Sequence, residues 1–197
     1  MKLKTKRNGR MGRLNVKTTD EPLKLNLGSG PTKLPGFVSV DSIKFSSVDV
    51  VLDLNTPHWP WMDDSVEEIH MSHTIEHFTG EQRVHIYNEM FRVLKKGAKA
   101  TLIAPYWSSG RAYGDWTHQW PPVAAFSFYY LLKDWRMKNA PHTDAEHNPK
   151  GHSCDFDVTW GFNLHPEVAV RSQEFQQDAM QWKVEACQDV IYTLVKR

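Results

Sequence analysis

Apolar residues in this chain fall into short runs before residue 80 and into longer periodic stretches after it. Residues 24–27, 37–40, 48–52 and 66–71 are brief, β-branched or apolar, and set between polar or Gly/Pro-containing segments, which is the pattern of strands. The connections between the first three are shorter than the dozen or more residues that a parallel crossover needs, so a trimmed sheet is expected there. Residues 55–64, with two prolines and a polar end, read as a loop. From 81 to 95, Val84, Tyr87, Met90, Phe91 and Leu94 recur at three- and four-residue spacing. That predicts a helix with one apolar face, closed by Lys95, Lys96 and Gly97. A fifth strand is expected at 100–104, then an aromatic, Gly-rich loop to Pro122 and a helix at 124–135. Residues 138–153 read as a mobile polar insertion. A strand at 155–162, a helix at 166–182 and an alternating final strand within 184–195 complete the pattern.

Two strand ends carry the most specific chemistry. The first run ends in Gly28-Ser29-Gly30 and the second in Asp41, the arrangement by which an α/β sheet builds a nucleotide-type pocket. Glycines permit positive φ and close backbone approach, and a carboxylate accepts two hydrogen bonds from a ribose diol. An adenosine-bearing ligand is expected, with Asp41 as an ordinary turn acid the alternative. The dinucleotide pattern G-x-G-x-x-G is absent, because Gly30 is followed by Pro31-Thr-Lys-Leu-Pro35 before Gly36. A phosphate-binding G-x-x-x-x-G-K-[ST] loop is absent too, so the ligand expected is an adenosine without phosphates.

Leu25-Asn-Leu-Gly-Ser-Gly-Pro31, Val38-Ser-Val-Asp41, Val51-Leu-Asp-Leu54, His73-Thr-Ile-Glu-His77 and Phe91-Arg-Val-Leu-Lys-Lys-Gly97 follow in an order that resembles class I S-adenosylmethionine-dependent methyltransferases. The resemblance is greatest to the small branch with SHxLEH and RVLKPGG segments, and spans roughly residues 23–105. It implies a Rossmann-like α/β sheet, trimmed at the first crossover helices and closed by a C-terminal antiparallel strand pair, with S-adenosylmethionine as cofactor. The cofactor-binding residues it implies are Leu27, Gly28, Ser29, Gly30, Asp41, Ser42, Asp53, Leu54, Ser72 and His73. In that scheme the glycines line the methionine part, Asp41 takes the ribose hydroxyls and Asp53 lies near the adenine. His73 contacts cofactor or substrate, or else caps the following helix.

The loop 106–120 interleaves aromatic residues with Arg111, Asp115 and His118 after the fifth strand, on the ligand-binding edge of such a sheet. Candidate substrate contacts are His77, Tyr106, Trp107, Arg111, Tyr113 and Trp116; a packed lid over the cofactor is the other reading of this loop. His118 is the candidate general base, since an imidazole titrates near neutrality, and Asp115 is its candidate orienting group. His73-Thr-Ile-Glu76-His77 also matches H-x-x-E-H, in which two imidazoles one turn apart hold Zn²⁺, so a zinc hydrolase is a competing reading. The motif follows a strand directly and is interrupted by Phe78-Thr-Gly80, and no metal is expected. His142, His147, His152 and Cys154 match no standard metal spacing.

Length and charge bound the rest. A chain of 197 residues with 40% apolar content fits one domain, read as 21–197, with 106–153 as a substrate or lid insertion. No apolar run approaches a membrane span, the N-terminal charges precede no signal-type apolar stretch, and two cysteines make no disulfide framework. A cytoplasmic enzyme without membrane attachment is expected. Seven of the 24 basic side chains fall within residues 1–17, leaving a mildly acidic body. The segment 1–20 reads as a flexible basic tail, either a solvated terminus or an arm for a nucleic-acid or protein acceptor. A small-molecule acceptor fits the acidic body better, and a cofactor-binding accessory protein without catalysis is the alternative function.

Overall fold

Among the described residues seven strands form one sheet: Lys24–Leu27 (β1), Val38–Asp41 (β2), Val50–Val51 (β3), Val66–Ser72 (β4), Leu94–Pro105 (β5), Phe156–Leu164 (β6) and Cys187–Lys196 (β7). Their order is β3-β2-β1-β4-β5-β7-β6. The first five pair in parallel, and β7 lies antiparallel between β5 and β6. The computed structural model describes residues 22–197, so the basic N-terminal stretch lies outside the described residues. The trimmed sheet and the closing antiparallel pair are both present.

Register explains why these strands bury one face. Leu25, Ile69, Ala100 and Leu194 stand in one cross-strand row, and Leu27, Met71, Leu102 and Tyr192 in the next; all eight are fully buried. The alternate row holds Asn26, His70, Thr101, Thr193 and Thr159 on the other face. Parallel strands normally carry helices on both faces. Here β1, β2 and β3 are joined without helices, and polar side chains stand where such helices would have packed.

The helix Gly80–Val93 (α1) begins with a reciprocal cap: Thr79 accepts from the Gln82 amide, and Gln82 accepts from the Thr79 amide. Ile86, Tyr87, Met90 and Val93 are its buried apolar positions, whereas Val84 and Phe91 are only half-buried, so the apolar face is rotated from the one the sequence suggested. Its end also differs. Leu94 turns to φ −64°, ψ 140° and pairs with Val66 as the first residue of β5. Lys95 to Ala98 then bulge out before Lys99 meets Glu68, so Lys95, Lys96 and Gly97 belong to a strand irregularity. On the buried face the Tyr87 and Tyr192 hydroxyls bond at 2.9 Å and Phe128 stacks on Tyr192. The loop 55–64 is pinned to α1 by Glu89, which accepts from the Trp59 amide, and by Arg92, which donates to the Trp59 and Trp61 carbonyls.

Three further segments depart from expectation. Residues 125–131 form a 3₁₀ turn, and the helix proper runs Lys133–Asn139 (α2), its first amide capped by Asp155. The helix expected at 166–182 is broken into Pro166–Ala169 and Gln173–Trp182, because Ser172 starts a new helix by accepting from the Phe175 amide. Residues 138–153 are held in place, not mobile. Arg136, 0% exposed, donates to Asp144 and to the carbonyls of Tyr130 and Cys154, while Asn88 of α1 bonds Gly151 and Ser153. Burial raises Asp144 toward neutrality, but the Glu146 amide and Arg136 together keep its pKa below the ordinary carboxylate value.

The buried pair makes this segment sensitive to charge. Asp144→Ala leaves a buried guanidinium without its counter-ion and is expected to cost about 3–5 kcal/mol in urea denaturation. His152 is held down to about 4 by burial and by Arg136. Between roughly pH 6.5 and 4 the unfolded chain therefore binds the extra proton, and stability falls as pH drops through that window by on the order of 3 kcal/mol. His152→Gln is expected to flatten that part of the stability–pH profile relative to the parent protein.

Candidate active site

The site begins where β1 ends. Gly28 (φ 66°) and Gly30 (φ 54°) both take the left-handed backbone that favours glycine. A Cβ on Gly28 would overlap the Thr74 side chain, whereas one on Gly30 meets open space. Thr74 follows β4, and its hydroxyl stands 2.9 Å from the Ser72 carbonyl and 3.4 Å from the Gly28 carbonyl, so the ends of β1 and β4 are in direct contact. Asp41, at the end of β2, ties the turn: one carboxylate oxygen accepts from the Gly30 amide and the other from the Ile43 amide, both at 2.8 Å. Each oxygen keeps a second lone pair. Asp53 closes its own turn by accepting from the Asn55 amide at 2.9 Å.

These strand ends surround a cavity of about 490 Å³. Of the expected cofactor residues, Gly28, Gly30, Asp41, Ser42, Asp53, Leu54 and His73 line it, and His77 joins them. Three others do not. Leu27 is fully buried in the core, since strand alternation turns its side chain into the sheet's apolar face. Ser29 and Ser72 face a separate depression beside Lys33 and His70. The wall is completed by Ile43, Phe45, Leu52, Thr74 and Phe78. Sequence reading passed over them because loop apolar residues have no periodicity, although Ile43 and Phe45 directly follow the acid at the end of β2.

His73 adopts φ 49°, in the left-handed region uncommon for a residue with a side chain. Its Nδ1 stands 3.5 Å from Glu76 Oε1 and its Nε2 4.0 Å from Asp189 Oδ1. The nearby Glu76 carboxylate raises the His73 pKa against the opposing effect of burial. His73 precedes a single 3₁₀ turn, Ile75–His77, so His73 and His77 do not sit one turn apart on a helix, and the inverse-zincin geometry is absent. Asp189, which no motif or spacing singles out, comes from distant β7 and receives both Arg111 bonds at 3.0–3.2 Å. The loop 119–121 is held to the 3₁₀ turn by Arg83, which donates to the carbonyls of Ile75, Glu76, Gln119 and Pro121.

The aromatic loop divides. Tyr113, Asp115, Trp116 and His118 line a second cavity of about 210 Å³. Tyr106 turns away to pack on Phe162, with Trp107 beside it, so neither lines the main cavity. Asp115 does not orient His118: its Oδ2 is 4.0 Å from His118 Nε2, and the carboxylate is spent on Thr117, whose amide and hydroxyl lower its pKa. The carbonyl of Ala112 holds His118 instead, at Nδ1 and 3.2 Å. The sequence set His142, His147, His152 and Cys154 is not drawn together as a ligand group, and burial pushes the Cys154 thiol up to about 12.

The two glycines separate packing from backbone preference. Gly28→Ala is expected to destabilise by about 2 kcal/mol or more, combining a positive-φ penalty of ~1 kcal/mol with the Thr74 overlap. Gly30→Ala meets only the backbone penalty, about 1 kcal/mol. Urea denaturation of both variants measures the difference.

No protein-family model and no curated protein matches the chain. Solved structures do. A SAM-dependent methyltransferase from Archaeoglobus fulgidus superposes with a TM-score of 0.61 at 14% identity, covering 89% of this chain and 86% of that one. A protein of Listeria monocytogenes described as an S-adenosylmethionine-dependent methyltransferase superposes with a TM-score of 0.50 at 12% identity, covering 90% of each. With its parallel strands, its glycine turn after β1 and its closing antiparallel strand, the chain has the class I methyltransferase fold.

Proposed function

We propose that the chain binds S-adenosylmethionine in the cavity at the strand ends and transfers its methyl group to a small-molecule acceptor. The observation that carries this reading is Asp41: a carboxylate at the end of β2, held by two backbone amides, with a lone pair left on each oxygen beside the Gly28–Gly30 turn. A ribose diol supplies two donors at matching spacing. The apolar wall of Ile43, Leu52 and Leu54 suits the adenine, and the glycine turn lets backbone approach the methionine part. The relatives described as methyltransferases support the same assignment.

In the reaction a lone pair on the acceptor attacks the methyl carbon as the carbon–sulfur bond breaks. Bound S-adenosylmethionine would supply the electrophilic methyl group with a neutral thioether as leaving group, and the acceptor would lose its proton to a base or to water. The cofactor carries the leaving group, so the protein's work is positioning and desolvation. His77 lines the main cavity and His118 the smaller one, and on this reading either imidazole can accept the proton. The 210 Å³ cavity beside the loop suits a small acceptor, and Trp116, 97% exposed, is free to stack on a planar one.

Calorimetric titration with S-adenosylmethionine and S-adenosylhomocysteine tests this. Binding in the micromolar range is expected, and Asp41→Ala should weaken it by about 1.5–3 kcal/mol, roughly ten- to 150-fold. Absence of binding by folded protein would reduce the likeness to one of fold.

A further inference from the structure

Three hydrogen-bond acceptors converge beside the cavity with no donor among them. Among the described residues both carboxylate oxygens of Glu76 are buried without a hydrogen-bond partner, the side chain being only 5% exposed. Ligand atoms of Glu76, His77 and His118 all lie within 4.8 Å of one another. Hydrogen-bond direction settles the imidazole tautomers. Thr117 donates its one hydroxyl proton to Asp115 at 2.7 Å, so at its 2.9 Å contact with His77 Nδ1 it accepts, and Nδ1 carries the hydrogen. His118 Nδ1 faces the Ala112 carbonyl, which can only accept, so it too carries the hydrogen. In both neutral rings the lone pair is therefore on Nε2.

Neighbouring cations relieve the arrangement only in part. Arg83 is taken up by four carbonyls, and His73, whose pKa Glu76 raises, meets one of its oxygens, Oε1, at 3.5 Å as an ion pair without a hydrogen bond. A buried carboxylate whose oxygens accept no hydrogen bond costs several kcal/mol. We propose that Glu76, His77 and His118 bind a divalent transition-metal ion, with Zn²⁺ the best match to two imidazoles and a carboxylate. Each imidazole is already backed at Nδ1 by an oxygen, as metal-bound histidines are. Ligands around Zn²⁺ stand ~3.4 Å apart, so from the present limit of 4.8 Å the site closes by up to about 1.4 Å, a movement open to the exposed His77.

Metal binding here does not depend on the methyl-transfer reading, but its use does. The open fourth position lies between the two cavities, because His77 lines one and His118 the other. There a metal-bound acceptor hydroxyl would have a lowered pKa and release its proton to water before attacking the methyl carbon, in place of transfer to His77 or His118, whose lone pairs the ion would occupy.

The test uses Zn²⁺ alone, titrated calorimetrically into chelator-treated full-length protein without cofactor. One ion per chain is expected, with affinity reduced ~100-fold or more in both Glu76→Gln and His118→Ala, judged folded by circular dichroism. Thr117→Val should weaken binding ~10-fold and Thr117→Ser should restore it, whereas His142→Ala with His147→Ala should change nothing. Co²⁺ in place of Zn²⁺ should give the visible absorption of a low-coordinate nitrogen and oxygen site. No binding by folded protein, or binding unchanged in both ligand variants, would overturn the proposal. Titration with S-adenosylhomocysteine on the same samples shows whether the cofactor reading stands or falls separately.

Discussion

The close contact of Gly28 with Thr74 is the constraint on which the rest of the site depends. Two parallel strands, β1 and β4, end side by side, and the chain leaves β1 through a left-handed turn whose inner surface is occupied by the Thr74 side chain. No larger residue fits there. Once that turn is made, the Gly30 amide points at Asp41, and Asp41 in turn holds Ile43. A packing requirement between two strands thus becomes the placement of a carboxylate in an open cavity, and the cavity's chemistry follows from the sheet's geometry.

The sheet itself is economical. Removing the first crossover helices shortens the chain but leaves a face to be solvated, and the sequence meets this with a polar row from Asn26 to Thr159 and with ion pairs of Glu68 to Lys24 and Lys99. Exposed pairs of this kind contribute little stability individually; their value is to make a parallel sheet tolerable with one face open. Stability is concentrated on the other face, where Tyr192, Phe128 and Tyr87 join the antiparallel end of the sheet to α1. The same face receives the segment 138–153 through Arg136 and Asn88.

Beside the cavity, polar groups are arranged with unequal satisfaction. Arg83 donates to four carbonyls and each Asp41 oxygen accepts one backbone amide, and these bonds hold loops in place. Glu76 is buried, accepts no hydrogen bond and meets His73 only as an ion pair at one oxygen, next to two histidines whose lone pairs are both on Nε2. Folding alone does not favour that state, because each unsatisfied group raises its free energy. Unsatisfied acceptors gathered at a cavity mouth are a feature of sites built to hold something.

Local chemistry determined much of this protein from sequence alone. The short strands, the glycine turn, the acids at the ends of β2 and β3 and the helix after Thr79 are decided by residues adjacent to one another, through backbone preference and periodicity. What required the tertiary structure were relations between distant segments. Leu27 leaves the cavity because strand register turns it into the core, and helix α1 stops at Val93 because Leu94 pairs with Val66. Asp115 serves Thr117 and not His118, and residues 138–153 are fixed by a buried arginine that polar composition could not reveal. Asp189 and His118 reach the site only through β7 and the loop after β5. Spacing along a chain records which residue types are available, whereas the lone pairs that meet in space depend on packing between elements that sequence proximity does not encode.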